Sequence, residues 1–382
     1  MSIYLNWAAT SYQKPAAMTD AVTAYLQNNH YENQNRALAG VEATSIALHT
    51  REVLAKLFNV SDASNVLFTE NATMSLNMVL NGLLRSGDHV LTTQMEHNAV
   101  IRPLERLKDD GVTVTYLPCD QTGYLPPETI KPAVLPNTSA FVMTHASNVV
   151  GTIQSVTECF KIAHELGLVT VLDASQTAGY LPIDMVAMGI DILVFTGHKS
   201  LLGLAGIGGF CLAPGLADQI EPWLVGGTGN ASELPRQPNF LPDKFEPGTP
   251  NTIGILSLGA SVKALQAMGL AKIQQQEQAL TAQFLAGLAE LPVTVYGPKD
   301  ATKMVPVISV NGQGIDPGEL SWALHDRAGI ITRCGLHCAP MAHKTIGTFP
   351  EGTVRFSLGY TTTAQEIETT LTALATVLKE GV

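Results

Sequence analysis

Five short segments of this 382-residue chain put chemically competent side chains where apolar runs end. The first is Asp173-Ala-Ser-Gln176, at the close of the run Leu168–Asp173. Carboxyl ends of parallel strands are where α/β sheets hold their ligands, and a carboxylate there can keep a heterocyclic nitrogen protonated. A helix N-cap is the plainer use of the same aspartate. The second is Thr196-Gly-His198-Lys199, after the run Ile190–Thr196. A lysine at the rim of a buried sheet loses hydration, which lowers its pKa and frees a nucleophilic amine. An ordinary solvated lysine is the competing reading. Thr196, His198 and the glycines that follow add small polar donors suited to a phosphate.

Thr69-Glu-Asn-Ala72-Thr73 joins a strand to a helix, so the free N–H groups of Ala72 and Thr73 and the Thr73 hydroxyl form an anion site at a helix start. Met95-Glu-His97-Asn98 offers an imidazole that could stack on a planar cofactor and exchange protons near neutral pH, or could be a satisfied structural histidine. The fifth segment, Arg333-Cys-Gly-Leu-His337-Cys338-Ala-Pro, sets Cys338 next to His337 in a glycine-containing loop, with Arg355 further on. Nearby cations favour a thiolate. A zinc site of Cys334, His337, Cys338 and His343 is disfavoured, because the Cys-x3-Cys spacing lacks a matching second pair. An inert buried thiol stays open. Gly206-x-Gly208-Gly209 follows the lysine loop rather than opening a helix, which disfavours a dinucleotide site.

These segments need a rigid frame, and the runs between them supply one. Asn65–Thr69, His89–Thr93, Val112–Leu117, Ser139–Thr144, Leu168–Asp173, Ile190–Thr196 and Ile207–Ala213 read as strands, several apolar on both faces, as in a sheet covered on both sides. Helical patterns at about 73–85, 98–110 and 155–166 alternate with them, which predicts a largely parallel α/β sheet. After Gly248 the order changes. Helices over about 252–269 and 271–290 lead to strands at Val293–Tyr296 and Val305–Val310. A helix opened by Asp316-Pro317, strands near Ile330–Thr332 and at Thr353–Leu358, and a last helix with the capping-box spacing Thr363 to Glu366 complete the chain. This mixture predicts a smaller α+β domain, and the length suits two domains.

Composition narrows the function classes. Twenty-two Lys+Arg against 33 Asp+Glu leave a net charge of −11, which repels polyphosphate and disfavours nucleic acid or an anionic membrane as partner. Charged residues are 14% and apolar residues 46%, so much of the chain must be buried in a core or against a second subunit, and disorder is excluded. Five cysteines, odd in number and thinly spread, suit a reducing compartment, and the N-terminus lacks a basic, apolar leader. The expected location is the cytoplasm. The uncharged tract Ser200–Ala217 is broken by five glycines and Pro214, and reads as a buried turn and strand rather than a membrane span.

A carboxylate at one strand end, a lysine at another, a helix-start anion site and a stacking histidine are together the parts that hold pyridoxal 5′-phosphate. The chain resembles the fold-type I pyridoxal-phosphate (PLP) enzymes of the class V aminotransferase group, and within them the cysteine desulfurases and selenocysteine lyases. The resemblance rests on YLNWAAT (4–10), MEHNAV (95–100), SNVVGT (147–152), LDASQTAG (172–179), TGHKSLLG (196–203), FEPGTPNT (245–252), RCGLHCAP (333–340) and VRFSLG (354–359). It implies an α/β fold: a large PLP-binding domain over 16–250 with a mostly parallel seven-stranded sheet, and a smaller α+β domain from 1–15 with 251–382 that carries the Cys338 loop.

The resemblance also implies roles. Lys199 would hold the cofactor as a Schiff base, Asp173 would pair with its ring nitrogen, Gln176 with its ring oxygen, and His97 would stack on the ring. Ala72, Thr73, Thr196 and His198 would hold the phosphate. Thr249 would reach the phosphate across a subunit interface, so a homodimer is implied. Asn148 and Arg355 would bind the substrate carboxylate, and no metal is expected. Cys338 matches the cysteine that accepts sulfur. The implied activity converts L-cysteine to L-alanine and leaves a persulfide on Cys338 for an acceptor such as a partner protein. A selenocysteine lyase acting on L-selenocysteine, or a C–S lyase or aminotransferase with Cys338 as bystander, are the alternatives. Three departures stand out: Asn6-Trp7 where the family has Asp followed by Asn or Ser, Gly203-Leu204 where Gly-Pro is common, and little Gly/Arg character across Asn28–Gly40. Cys334 reads as a small residue rather than a resolving thiol.

Overall fold

The structure, a computed structural model, describes residues 2–27 and 39–381, so most of the stretch Asn28–Gly40 lies outside the described residues. β1 (Ile3–Tyr4), α1 (Ala16–Gln27) and α2 (Ala39–Phe58) precede the large sheet. Next come β2 (Val66–Thr69), α3 (Ala72–Leu83), β3 (His89–Thr93), α4 (Asn98–Asp109), β4 (Thr113–Leu117) and α5 (Ile130–Ala133). β5 (Thr138–Thr144), α6 (Val156–Glu165), β6 (Val169–Asp173), β7 (Ile192–Thr196) and β8 (Gly208–Leu212) finish that part. The remainder holds α7 (Thr252–Met268), α8 (Leu270–Ala289), β9 (Val293–Tyr296), β10 (Val307–Gly312) and α9 (Pro317–Ala328). β11 (Ile330–Ile331), β12 (Arg333–Gly335), α10 (Pro340–Thr345), β13 (Thr353–Ser357) and α11 (Ala364–Glu380) follow.

The expected seven strands form one sheet in the order β2-β8-β7-β6-β5-β3-β4. β7, β6, β5, β3 and β4 run parallel, while β8 is antiparallel to both β7 and β2. No crossover helix joins β7 to β8, and a connection that short can only return the chain antiparallel. The apolar runs are used on both faces. In β5, Phe141 and Met143 enter one core while Ala140 and Val142 enter the other; in β7, Leu193 and Phe195 part from Ile192 and Val194 in the same way. Period-two alternation within an all-apolar run is how a doubly covered strand is built.

The second sheet, ordered β12-β13-β10-β9, is antiparallel. Phe284 of α8, Leu320 and Leu324 of α9, and Ile367 and Leu374 of α11 cover it. β1 pairs with β11 as a separate two-stranded ribbon, which brings the N-terminal segment back to this unit. α11 starts with a reciprocal capping box between Thr363 and Glu366. Dividing the chain at residue 250 would group α7 with this unit, yet its Ile255, Leu258 and Val262 pack in the large core. Among the described residues no single helix is long and apolar enough to cross a membrane, and the adjoining pair α7 and α8 is bent by 76°.

One buried ion pair ties the segment after the large sheet to its edge. Arg51 of α2 grips Glu246 through two bonds of 2.8 and 2.6 Å and also donates to the Val66 carbonyl, while Glu246 accepts the Phe68 N–H at 2.6 Å. Removing one partner would strand the other charge in a low-dielectric site. Glu246→Ala should therefore lower stability by about 3 kcal/mol, seen as a reduced urea midpoint at unchanged slope. A loss below about 1 kcal/mol, the worth of an exposed pair, would show that Arg51 finds water instead.

Candidate active site

The ends of β6 and β7, the starts of α3 and α4, strand β13 and the segment around Arg333 and His337 surround a cavity of about 210 Å³. Parallel strands all deliver their carboxyl ends to one edge, so residues far apart in sequence converge there. Asp173 ends β6 and is buried; its Oδ1 accepts the Ser175 N–H at 2.9 Å. It thus caps its own turn and lines the cavity at once. Gln176 donates one amide hydrogen to the Ala8 carbonyl at 3.2 Å and keeps a second donor.

Lys199 follows β7 and lines the same cavity. Burial pushes its pKa down to about 8, the charges of Arg355 and Arg333 help, and Asp173 pulls the other way. The lysine loop is pinned by the N-terminal segment: the His198 carbonyl accepts the Ser11 N–H at 2.9 Å and its hydroxyl at 2.8 Å, and His198 Nδ1 meets the Thr10 hydroxyl at 3.0 Å. At the start of α3, Asn71 caps the Met74 N–H at 2.9 Å. Ala72 and Thr73 line the cavity with backbone N–H groups that no acceptor among the described residues takes up. Thr196 lines it as well.

His97 is the N-cap of α4, its Nδ1 accepting the Ala99 N–H at 3.0 Å. Burial and the nearby Lys199 charge lower its pKa to about 4. Burial thus favours the neutral ring, and its aromatic face stays available for stacking. Beside it sits a group the motif reading passed over. Glu96 is fully buried, with Oε1 between the Thr93 hydroxyl (2.6 Å) and the Thr144 N–H (3.0 Å), and Oε2 has no partner. Burial pushes its pKa up to about 8, against its hydrogen bonds and with some help from Asp173. A carboxyl group inside an otherwise uncharged strand end was the visible signal.

Arg355, in β13, is 1% exposed and has no anionic partner among the described residues. Nη1 donates to the Asn148 carbonyl at 2.9 Å, Nη2 to Asn6 Oδ1 at 3.2 Å, and Nε to nothing. Burial and the charge of Arg333 lower its pKa to about 9. A buried guanidinium held by neutral groups among the described residues keeps donor capacity that a carboxylate could use. Asn148 lines the cavity too, and its side-chain amide donates to the His337 carbonyl at 2.7 Å, tying the cysteine loop to the arginine.

Cys338 is exposed, and Arg333 Nη2 lies 3.5 Å from its Sγ. The cation beside the thiol is thus Arg333 and not His337, whose ring is buried, bonded to His343 and kept neutral by burial and Arg355. Cys334 pairs with Val354 across the β12–β13 ladder, whereas its neighbour Arg333 pairs with Arg355. Strand alternation turns Cys334 to the opposite face from Arg333, as suits a small spacer residue rather than a resolving thiol. Among the described residues no three His, Cys, Asp or Glu side chains converge as a metal site. Thr249 is exposed and lines a separate hollow with Glu246 and Asn251 instead of this cavity.

Fold and cavity together define a class: an α/β enzyme with a lysine amine, a buried carboxylate, free helix-start N–H groups and a buried guanidinium around one cavity. The chain belongs to the class-V aminotransferase family, which residues 3–370 match, on its cysteine desulfurase branch. It is 33% identical over 373 residues to a probable cysteine desulfurase of Methanothermobacter thermautotrophicus, covering 96% of this chain and 92% of that one. Identity to a Yersinia pestis cysteine desulfurase is 32% over 348 residues, 88% and 84% of the two chains. The solved apo cysteine desulfurase of Thermococcus onnurineus superposes with a TM-score of 0.92 at 30% identity, covering 100% and 95%. An Escherichia coli cysteine desulfurase gives 0.88 at 25% identity, covering 100% and 96%.

The Glu96 geometry has a measurable consequence. An acid whose folded pKa lies near 8 against an ordinary 4.5 favours the folded state in its protonated form, so it erodes stability as pH rises from about 4.5 to about 8. Glu96→Gln keeps the neutral form at every pH. The stability difference, variant minus wild type, should therefore grow steadily across that window in chemical denaturation. A pH-independent difference would show that Glu96 is ionised in the fold.

Proposed function

We propose that this chain is a PLP-dependent cysteine desulfurase of the cytoplasm, working as a homodimer, that removes sulfur from L-cysteine and leaves it on Cys338. The observation that carries the reading is an exposed thiol 3.5 Å from a guanidinium, on a loop tied by Asn148 to the buried Arg355. The cavity suits the phosphorylated pyridine. The N–H groups of Ala72 and Thr73, with Thr73, Thr196 and His198, would take the phosphate at a helix start. Asp173 would face the ring nitrogen, Gln176 the ring oxygen, His97 the ring face, and Lys199 the reactive carbon. When bound, that group supplies an electron sink conjugated to the substrate Cα.

The chain's own residues do the remainder. Arg355 fixes the substrate carboxylate with donors that have no competing anion. Lys199 Nζ, with a pKa near 8, can take and return the proton at the substrate Cα close to neutral pH. Cys338 Sγ, as thiolate, forms a bond to the substrate sulfur. The Cβ–S bond breaks, its electron pair stays on carbon, and a proton delivered there completes alanine. The new sulfur remains as a persulfide, exposed for an acceptor. His97 and His198, held neutral by burial, add no charge to this balance. Thr249, exposed and outside its own chain's cavity, suits a role toward a second copy, and Leu224 in the same hollow, with its exposed neighbours Trp223 and Val225, leaves apolar surface for it.

The test is alanine release from L-cysteine by wild type and Cys338→Ala, with mass spectrometry of unreduced wild-type protein. Alanine and one extra sulfur on the Cys338 peptide are expected from wild type, and a loss of at least about 100-fold from the variant, as for removal of an essential nucleophile. Pyruvate as product, or alanine at an undiminished rate from the variant, would make the protein a C–S lyase with a bystander cysteine. Lys199→Ala should no longer retain cofactor through borohydride reduction and denaturation; a variant that still does would remove Lys199 from its role.

A further inference from the structure

Cys338 and His337 both sit in the left-handed backbone region, at φ 59° and 50°. Residues with a Cβ are rarely found there, and two in succession need support. The backbone supplies part of it: Asn98 N–H donates to the Cys338 carbonyl at 2.7 Å, Ala339 N–H to the Leu336 carbonyl at 2.9 Å, and Asn148 to the His337 carbonyl. The rest comes from a buried side-chain ladder that starts at His337 on the cavity wall and leads away from it. His337 Nε2 lies 3.1 Å from the Arg333 carbonyl, His337 Nδ1 lies 3.3 Å from His343 Nε2, and His343 Nδ1 lies 2.7 Å from the Thr348 hydroxyl. The two ring centres are 5.4 Å apart and the planes 27° from coplanar, as for rings bonded edge to edge.

Only one proton arrangement satisfies this ladder with both rings neutral. A carbonyl can only accept, so His337 Nε2 carries hydrogen and its Nδ1 offers a lone pair. His343 must then donate from Nε2, which leaves its own Nδ1 to accept the Thr348 O–H. The Thr348 N–H in turn donates to the His343 carbonyl at 2.8 Å, so the ladder is closed at its far end. All three residues are buried.

We propose that His343 and Thr348 are positioning residues for Cys338. The Arg333 carbonyl sets the His337 tautomer, His337 sets that of His343, and the Thr348 hydroxyl closes the ladder by donating to His343 Nδ1. That sequence fixes both ends of the strained turn and keeps the thiol against the Arg333 guanidinium. The inference rests on the reading that Cys338 accepts sulfur, and it assigns control of that step to a hydroxyl ten residues further along the chain.

The experiment compares Thr348→Val, which keeps shape and loses the hydroxyl, with Thr348→Ser, which keeps the hydroxyl, and with His343→Ala. Persulfide formation on Cys338, kcat and KM for L-cysteine, and hydrogen–deuterium exchange over residues 333–339 are measured on each holoenzyme. Thr348→Val and His343→Ala should lower kcat and the persulfide rate on the order of 10-fold, the worth of one buried hydrogen bond. KM should stay within about twofold, since the substrate contacts are untouched, and exchange over 333–339 should quicken. Thr348→Ser should behave as wild type.

Wild-type kcat and exchange in Thr348→Val would overturn the proposal, as would a raised KM at constant kcat or a serine variant as impaired as the valine. If His343→Ala does not fold, the Thr348 pair decides alone. A wild-type enzyme that forms no persulfide on Cys338 would instead sink the desulfurase reading, and the exchange comparison would still judge the ladder.

Discussion

A positive charge buried with no counter-ion among the described residues governs this molecule. Arg355 has water on almost none of its surface and among those residues donates to the Asn148 carbonyl and the Asn6 amide oxygen. Such a charge is costly to hold. It is tolerated because three parts of the chain meet on it: the N-terminal segment through Asn6, the large sheet through the loop after β5, and the second sheet through β13 itself. A carboxylate at position 6 would pair with the guanidinium and satisfy it in advance. The neutral Asn6 in place of an acid, a departure visible in the sequence, leaves the arginine's charge for a ligand.

Desolvation sets the protonation of everything around it. Burial is the leading cause of the lowered pKa of Lys199, His97, His198 and Arg355 and of the raised pKa of Glu96. The common outcome is that His97, His198 and Glu96 are neutral, while Arg355 keeps its charge and Lys199 sits near its threshold. Neutral imidazoles at 97 and 198 spare Lys199 two further cations, which would make it a weaker base. A neutral Glu96 spares Asp173 a second anion close by. The site concentrates charge where substrate and cofactor arrive by removing it from the surroundings.

Much of this was legible in the sequence, for a reason that differs from part to part. Most of the strands β2 to β8 are largely apolar runs of the kind a doubly covered sheet uses, so their number follows from pattern. Asp173 and Lys199 were found because each ends such a run. By contrast, the reading named no helix before Asn65, although α1 and α2 pack on α7 there; Ala- and Thr-rich stretches carry a weak periodic signal. Side-chain direction was beyond reach. Adjacent positions in sequence made His337 the natural companion of Cys338, but a left-handed turn sends one ring into the core and the thiol outward. Arg333, five residues away, takes the place beside the sulfur.

That reversal shows how the sulfur-accepting position is made. A thiol on a freely moving loop would sample many orientations and meet Arg333 only in some. Here the turn is held against its own backbone preference by carbonyls bonded to Asn98 and Asn148, and by two imidazoles whose tautomers are set in sequence. Neutral hydrogen bonds suit that task better than ion pairs would, because an extra charge within reach of Arg355 and Lys199 would disturb the protonation on which the site depends. Direction comes from neutral partners and reactivity from the guanidinium of Arg333 beside the sulfur. The two can be separated because His337 and Cys338, neighbours in the chain, face opposite environments.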